Sequence, residues 1–256
     1  MTTKTQAKEY LIVALDTSSE EEALNIIKKL SDKVGYFKVG LELFSLMGPK
    51  IIGIIKDQGN KVFFDGKFLD IPNTVSKAVA NIVKHKADML NVYMSGGAIM
   101  LQEAKKSLLE TAKTNNLPAP KLLGVTVLTS MTSDVLENDL KIQTQLNDYV
   151  LHLATLGIKN GLDGIICSAN EAKLIRSSLS SQSSILNPQS FLIVTPGIRP
   201  AWAQSNDQKR IATPKDAIKN GATHLVVGRP ITDAKDPVDA VNKILDEIEE
   251  ALNESY

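Results

Sequence analysis

Eight short apolar runs alternate with helical patterns along this chain, and this alternation limits its fold more than any other feature. Most of the runs lack a polar–apolar alternation, as expected for parallel strands that are covered on both faces. Eight strand–helix units in 256 residues predict an α/β fold, a (β/α)8 TIM barrel built as a single domain. The predicted strands are residues 10–16, 35–40, 61–67, 87–93, 122–128, 162–168, 190–196 and 223–229.

Helix starts are marked by capping signals. Ser19 with Glu22 and Ser168 with Glu171 have the spacing of a capping box. Thr213 before a proline predicts the start of a short helix, and Asp236 before another proline predicts the start of the last one.

Two segments lie outside this pattern. Residues 1–9 are polar, and we expect a leader that is disordered or lies on the surface, with the barrel over residues 10–256. The serine-rich stretch 177–190 follows the sixth helix, on the side of the barrel away from the catalytic face, and we expect a surface insertion there.

Charge and cysteine content limit the partners and the compartment. Lysine plus arginine total 29 and aspartate plus glutamate total 29, so net charge gives no reason to expect nucleic acid or an anionic membrane as a partner. No apolar run reaches the length of a membrane span. The single cysteine, Cys167, excludes an intramolecular disulfide and indicates a cytoplasmic protein; its place after an apolar run predicts a small buried strand residue.

Charged residues follow three consecutive predicted strands. Asp16 ends the first, Lys38 lies near the end of the second, and Asp65 and Lys67 end the third, with Asp70 in the loop beyond. Residues 65 and 67 share a face if the strand is regular. Because TIM barrels carry their active sites at the carboxyl ends of the strands, these side chains predict a catalytic site.

Each of these residues also has a structural interpretation. Asp16 could be a turn aspartate, Lys38 a lysine that extends to solvent at a strand edge, and the group around Lys67 a surface ion-pair cluster. These interpretations weaken together, since three strands place charge at the same end of the barrel.

Two of the four arginines follow the last two strands. Arg199 lies in TPGIRP and Arg229 in VVGRPIT. Barrels commonly bind phosphate at these two loops, where Gly228 allows the backbone to approach and an arginine offers a planar set of donors. The sequence therefore predicts a phosphate site there.

The histidine and glycine patterns do not indicate a metal or a nucleotide cofactor. No histidine–carboxylate cluster has metal-ligand spacing, and neither a dinucleotide nor an ATP fingerprint is present. We expect no metal and no cofactor.

With these motifs assembled, the chain resembles the orotidine 5′-phosphate decarboxylase family over almost its full length. The resemblance rests most specifically on FFDGKFLDIPNTV (63–75). It is supported by ALD (14–16), KVG (38–40), TVLTSM (126–131), TPGIRP (195–200), DQKR (207–210) and VVGRPIT (226–232).

The resemblance implies a homodimeric barrel that converts orotidine 5′-monophosphate to uridine 5′-monophosphate and CO₂ without metal or cofactor. It implies that Lys67 donates a proton to C6 beside Asp65, and that Asp70 and Thr74 reach into the neighbouring subunit's site. It further implies substrate-binding roles: Asp16 and Lys38 for the ribose, Thr129 for the pyrimidine, Arg199, Gln208, Gly228 and Arg229 for the phosphate, and Pro196 as a further contact.

One position departs from the family, and two other functions compete. Tyr93 stands where the family usually has histidine after the fourth strand, which puts local packing in question more than activity. A Mg²⁺-dependent sugar-phosphate lyase of the same suprafamily shares the DxKxxD pattern, but Lys38 argues against a metal there. A non-catalytic nucleotide-binding barrel would have little use for Lys67.

Overall fold

All eight predicted strands are present and close into a parallel barrel. The computed structural model describes residues 4–181, 190–203 and 212–254. Each strand pairs in parallel with its neighbours in chain order, and β8 pairs with β1 to complete the ring. The strands are β1 Leu11–Ala14, β2 Tyr36–Gly40, β3 Lys61–Phe68, β4 Met89–Tyr93, β5 Lys121–Val125, β6 Gly164–Ile166, β7 Leu192–Thr195 and β8 His224–Val227.

Helices follow the strands and confirm the predicted starts. The Ser19 hydroxyl accepts a hydrogen bond from the Glu22 amide, and Thr213 caps its helix through the Asp216 amide. Ser168 and Glu171 form a reciprocal capping box, with the Ser168 amide donating to the Glu171 carboxylate. The helices are α1 Lys4–Ala7, α2 Glu20–Leu30, α3 Leu41–Met47, α4 Lys50–Asp57, α5 Pro72–Lys84, α6 Gly97–Thr114, α7 Leu146–Lys159, α8 Ala169–Ser181, α9 Pro214–Lys219, α10 Arg229–Thr232 and α11 Pro237–Glu254. None of the helices in these ranges is long and apolar enough to cross a membrane.

The buried residues form two layers. The larger cluster lies between the strands and the surrounding helices, and the smaller one fills the barrel interior. Because side chains alternate along a strand, the interior residues of one strand are two apart. The interior cluster comprises Ile12, Ala14, Tyr36, Phe63, Met89, Leu123, Val125, Ile166, Val194 and Val226.

The described part of the amino-terminal segment packs on the outside of the barrel. Lys4–Ala7 forms a short helix beside α11, and Lys8–Tyr10 adds a 3-10 turn. Ala7 is fully buried, and the Gly35 amide donates to the Lys8 carbonyl. Ala7 is apolar and lies one residue before the turn, so its methyl group reaches the core although its neighbours are polar.

The predicted insertion is shorter than expected at its start. Residues 177–181 continue α8 rather than leaving it. Residues 182–189 of the stretch lie outside the described residues.

A recurring hydrogen bond joins neighbouring strands at the amino-terminal end of the barrel, opposite the end that carries the charged residues. A polar side chain just before an even-numbered strand accepts a hydrogen bond from an amide at the start of the preceding strand, which joins neighbouring strands where the ladder begins. The pairs are Asp88 with Val62, Asp163 with Leu122, and Thr223 with Ile193.

His224 closes the same end of the barrel between two tyrosine rings. Its ring stacks on Tyr10 at 6.5 Å and meets Tyr36 edge-on at 5.5 Å. Burial, together with the positive charge of Lys61, lowers the pKa of His224 to about 4. The imidazole is therefore neutral in the folded barrel across the range in which a free histidine takes up a proton.

We expect His224→Phe to make stability less dependent on pH. Between pH 6.5 and 4 the unfolded wild-type chain binds a proton at residue 224 that the folded chain does not, so wild-type stability falls as pH falls. The loss at this one site is about 2 kcal/mol by pH 4.5, and phenylalanine removes it. Urea unfolding at pH 7.5 and 4.5 measures the difference, with Tyr10→Phe as the packing control. Equal losses in wild type and His224→Phe would contradict the assignment.

Candidate active site

The cavity at the carboxyl ends of the strands gathers most of the predicted site residues. Its volume is about 560 Å³, and its floor is apolar, formed by interior residues such as Phe63 and Val226. Nine of the twelve predicted residues line it: Asp16, Lys38, Asp65, Lys67, Thr129, Pro196, Arg199, Gly228 and Arg229. A concave pocket with an apolar floor and convergent charged groups is a common form of small-molecule site.

Two of the other three predicted residues do not line this cavity. Asp70 and Thr74 are exposed on the loop after β3 and the first turn of α5, and the Asp70 carboxylate accepts a hydrogen bond from the Ile71 amide. Gln208 lies outside the described residues.

Four charged side chains form an alternating row along one wall. The Lys38 Nζ lies 2.8 Å from Asp16 Oδ1 and 3.4 Å from Asp65 Oδ2. The Lys67 Nζ lies 2.7 Å from the other Asp65 oxygen. Asp65 therefore contacts both ammonium groups, and neither lysine extends into solvent as an edge lysine would.

Burial and charge act against each other in this row. Burial alone would raise the pKa of Asp65, but the ammonium groups of Lys38 and Lys67 hold it below its ordinary value. Burial would likewise lower the pKa of Lys38, but Asp65 and Asp16 hold it above its ordinary value. Both groups are therefore ionised at neutral pH although each is less than a tenth exposed.

Two glycines leave space for side chains at this end of the barrel: Gly40 for the row and Gly66 for a core ring. A Cβ on Gly40 would lie 2.8 Å from the Lys38 Nζ and 3.2 Å from the Asp16 carboxylate, so a larger residue would displace this ion pair. A Cβ on Gly66 would overlap the buried Phe64 ring. Glycine at these positions in KVG and FDGKF is thus required by packing.

The backbone at Lys67 differs from the regular strand assumed from the sequence. The β3–β4 register shifts between Phe64 and Phe68, and Lys67 has a φ of +48°. A non-glycine residue in this region is disfavoured by about 1 kcal/mol. Lys67 does reach Asp65 as predicted, but through this irregular turn of the backbone.

Asn91 on β4 is a site residue that the sequence prediction missed. It is fully buried, its amide nitrogen donates to Asp65 Oδ1 at 2.7 Å, and its oxygen accepts from the Lys67 amide at 2.7 Å. Its one signal in the sequence is an amide in the middle of an apolar run, because a buried polar side chain needs partners.

Cys167 and Tyr93 lie at the carboxyl ends of β6 and β4. Cys167 is buried as predicted, although it lines the cavity just beyond β6. Tyr93 is half-buried at the end of β4 and does not line the cavity. Burial, with the Asp65 carboxylate, raises the pKa of Tyr93.

Comparisons with known proteins agree with this geometry. The family model described as "Orotidine 5'-phosphate decarboxylase / HUMPS family" matches residues 9–244. An orotidine 5′-phosphate decarboxylase of Moorella thermoacetica is 42% identical over 243 residues, which cover 95% of this chain and 93% of the relative. One of Syntrophomonas wolfei is 43% identical over 246 residues, 96% of this chain and 100% of the relative. A crystal structure of the Lactobacillus acidophilus enzyme of the same name has a TM-score of 0.78 at 38% identity, covering 94% of this chain and 99% of that one.

We expect Lys38→Met to destabilise the fold and raise the pKa of Asp65. The substitution removes one of the two ammonium groups that contact a buried carboxylate, which should cost at least about 2 kcal/mol of unfolding free energy. Carboxyl-carbon NMR follows the Asp65 titration, and urea unfolding at pH 7 follows stability.

The matched control for this variant is Lys50→Met. Lys50 also forms a 2.8 Å ion pair, with Glu20, but both side chains are about half exposed. Its loss should cost less than about 1 kcal/mol. Equal losses in the two variants would contradict a special role for the buried pair.

Proposed function

The chain belongs to the orotidine 5′-phosphate decarboxylase / HUMPS family, and we propose that Lys67 is the acid with which it decarboxylates orotidine 5′-monophosphate to uridine 5′-monophosphate and CO₂. This reaction belongs to pyrimidine biosynthesis. The observation that carries the assignment of Lys67 is its position on the cavity wall, with its ammonium group 2.7 Å from the buried Asp65 carboxylate. The single free cysteine supports a reducing compartment, and we place the reaction in the cytoplasm.

The chemical step requires stabilisation of charge on a ring carbon. When the bond from C6 to the carboxylate breaks, CO₂ leaves and its bonding electron pair stays on C6. A fixed ammonium group beside that carbon stabilises the charge and then transfers its proton to C6. Solvent returns a proton to the Lys67 amine. The step is balanced without an electron-accepting group, because the electron pair left on C6 forms the bond to the proton that Lys67 loses.

The part of the cavity formed by the loops after β7 and β8 suits the substrate phosphate. Arg199 and Arg229 line it from the ends of β7 and β8, near Gly228 and Pro196. The Arg199 amide donates to the Ala212 carbonyl, which ties this loop to the chain just before α9. Phosphate contacts away from the reacting carbon can contribute binding energy to the chemical step. Thr129, on the loop after β5, is placed for the pyrimidine, while Asp16 and Lys38 are placed for the ribose hydroxyls.

A second copy of the chain would complete the site. Asp70 and Thr74 are exposed, and large exposed apolar side chains concentrate around them and on α3 and α6. Exposed apolar surface of this kind commonly marks a protein interface. The side chains are Leu41 (59% exposed), Leu46 (51%), Leu69 (55%), Ile71 (66%) and Ile99 (70%). We therefore propose a homodimer in which Asp70 and Thr74 enter the site of the partner subunit.

We expect Lys67→Ala to abolish decarboxylation while nucleotide binding partly persists. Loss of the proton donor and of its charge should lower kcat by at least about 10³-fold, whereas the phosphate and ribose contacts remain. The fall in orotate absorbance measures turnover, and calorimetry with uridine 5′-monophosphate measures binding. Lys28→Ala, which removes an exposed lysine on α2, is the control. Full turnover in the Lys67 variant would refute its role.

We expect Lys67→Ala and Asp70→Ala subunits to restore activity when they are mixed. A heterodimer has one site with both Lys67 and the partner subunit's Asp70, and one site with neither. Random exchange makes half of the dimers mixed, so activity should recover to about a quarter of the wild-type value. If Asp70 acted within its own subunit, every site would carry a defect and the mixture would stay inactive. Size-exclusion chromatography checks that mixed dimers form.

A further inference from the structure

Asn91 is the one buried amide that joins the two central groups of the site directly, within the part of the chain that the structure describes. Its neighbours on β4 are apolar, yet its side chain is fully buried. Both ends of the amide are used: the nitrogen donates to Asp65 Oδ1 and the oxygen accepts from the Lys67 backbone amide, each at 2.7 Å. Its position on β4 thus links a carboxylate and an amide that belong to β3.

The amide contact takes the place of a missing strand contact. The regular β3–β4 pairing is interrupted between Phe64 and Phe68, so the ladder does not hold the intervening backbone. Lys67 lies in this interruption with its φ at +48°, and the Asn91 oxygen holds its amide there. Among the non-glycine residues with positive φ in the described part of the chain, Lys67 is the one that lies within a strand.

The chemistry of the two contacts requires an amide. Asp65 is an ionised acceptor and needs a donor, whereas the Lys67 N–H is a donor and needs an acceptor. An asparagine side chain offers one of each, a carboxylate offers acceptors alone, and an apolar side chain offers neither. A neutral carboxylic acid again offers one donor and one acceptor.

We propose that Asn91 is a positioning residue for the decarboxylation. It holds the backbone of Lys67 in the left-handed conformation and fixes the Asp65 carboxylate, so that the Lys67 ammonium is presented to the reacting carbon. The proposal rests on the role of Lys67 given above. Asn91 does not line the cavity and acts through these two neighbours.

The chain offers a matched control in a second buried asparagine. Asn60, just before β3 at the opposite end of the barrel, is 4% exposed, and its amide nitrogen donates to the carbonyls of Ser31 and Val34. Asn60→Ala therefore removes a buried amide of similar environment without touching the site. Any effect common to both alanine variants reports lost packing and lost hydrogen bonds alone.

The first experiment compares kcat and KM of Asn91→Ala, Asn60→Ala and wild type, with unfolding curves for all three. A misplaced catalytic group commonly costs about 10²-fold in rate, so we expect kcat of Asn91→Ala to fall by about 10²-fold and its KM to change by less than about 3-fold. Asn60→Ala should lose stability and keep kcat within about 2-fold of wild type. A folded Asn91→Ala with wild-type kcat would overturn the proposal.

The second experiment tests the donor–acceptor requirement through the pH profile of Asn91→Asp. In its neutral form the new acid can donate to Asp65 and accept from the Lys67 amide, as asparagine does. In its ionised form it repels Asp65 and has no donor. The ratio of variant to wild-type kcat should therefore rise as pH is lowered, whereas a structural role alone predicts a constant ratio. This variant also serves if Asn91→Ala fails to fold.

The outcomes separate this inference from the proposed function. If wild type does not consume orotidine 5′-monophosphate, the proposed function fails and the positioning role fails with it. If wild type is active and Lys67→Ala is inactive, but both Asn91 variants match wild type at every pH, the positioning role alone fails.

Discussion

The active end of this barrel depends on the Asp65 carboxylate, which is buried, ionised and in contact with three donors. Lys38 reaches it from β2 and Asn91 reaches it from β4. Lys67 lies on β3, the same strand as Asp65, where the strand pairing is irregular. An ionised carboxylate in the protein interior is costly unless such partners compensate for the lost water. Its presence therefore fixes the side chains around it, and through the lysines it fixes the charge that the cavity presents to a substrate.

Sequence patterns predicted the barrel and most of the cavity for a clear physical reason. Parallel strands bring their carboxyl ends to one face, so residues such as Asp16 and Arg229, more than 200 positions apart, can be placed together without knowing a single contact. The resemblance then assigned roles to them. The patterns show which end of a strand a residue occupies. That information is enough to predict which residues line the cavity.

The same patterns do not describe departures from regular geometry. A spacing of two residues on a regular strand predicts Lys67 beside Asp65, whereas the backbone at Lys67 adopts a positive φ to bring it there. The sequence gives little sign of Asn91 because its apolar neighbours already predict a buried strand. Its hydrogen-bond partners are 24 and 26 residues away in the chain. The polar neighbours of Ala7 predict a surface leader and give no sign that Ala7 itself is buried. Each of these details depends on tertiary contacts that no local window contains.

Under the proposed function, the distribution of charge across the cavity lets one barrel bind a dianionic phosphate and still place a carboxylate beside the reacting group. The arginines follow β7 and β8, while the carboxylates that line the cavity follow β1 and β3, where Lys38 and Lys67 alternate with them. An isolated Asp65 would repel an anionic substrate, but within the row its charge is balanced at short range by two ammonium groups. In the proposed function the phosphate meets the two arginines, and the negative charge of Asp65 acts chiefly at hydrogen-bond distance, where it orients Lys67. Burial strengthens this division, because the cavity floor is apolar and the charges on its wall are less screened there than in water.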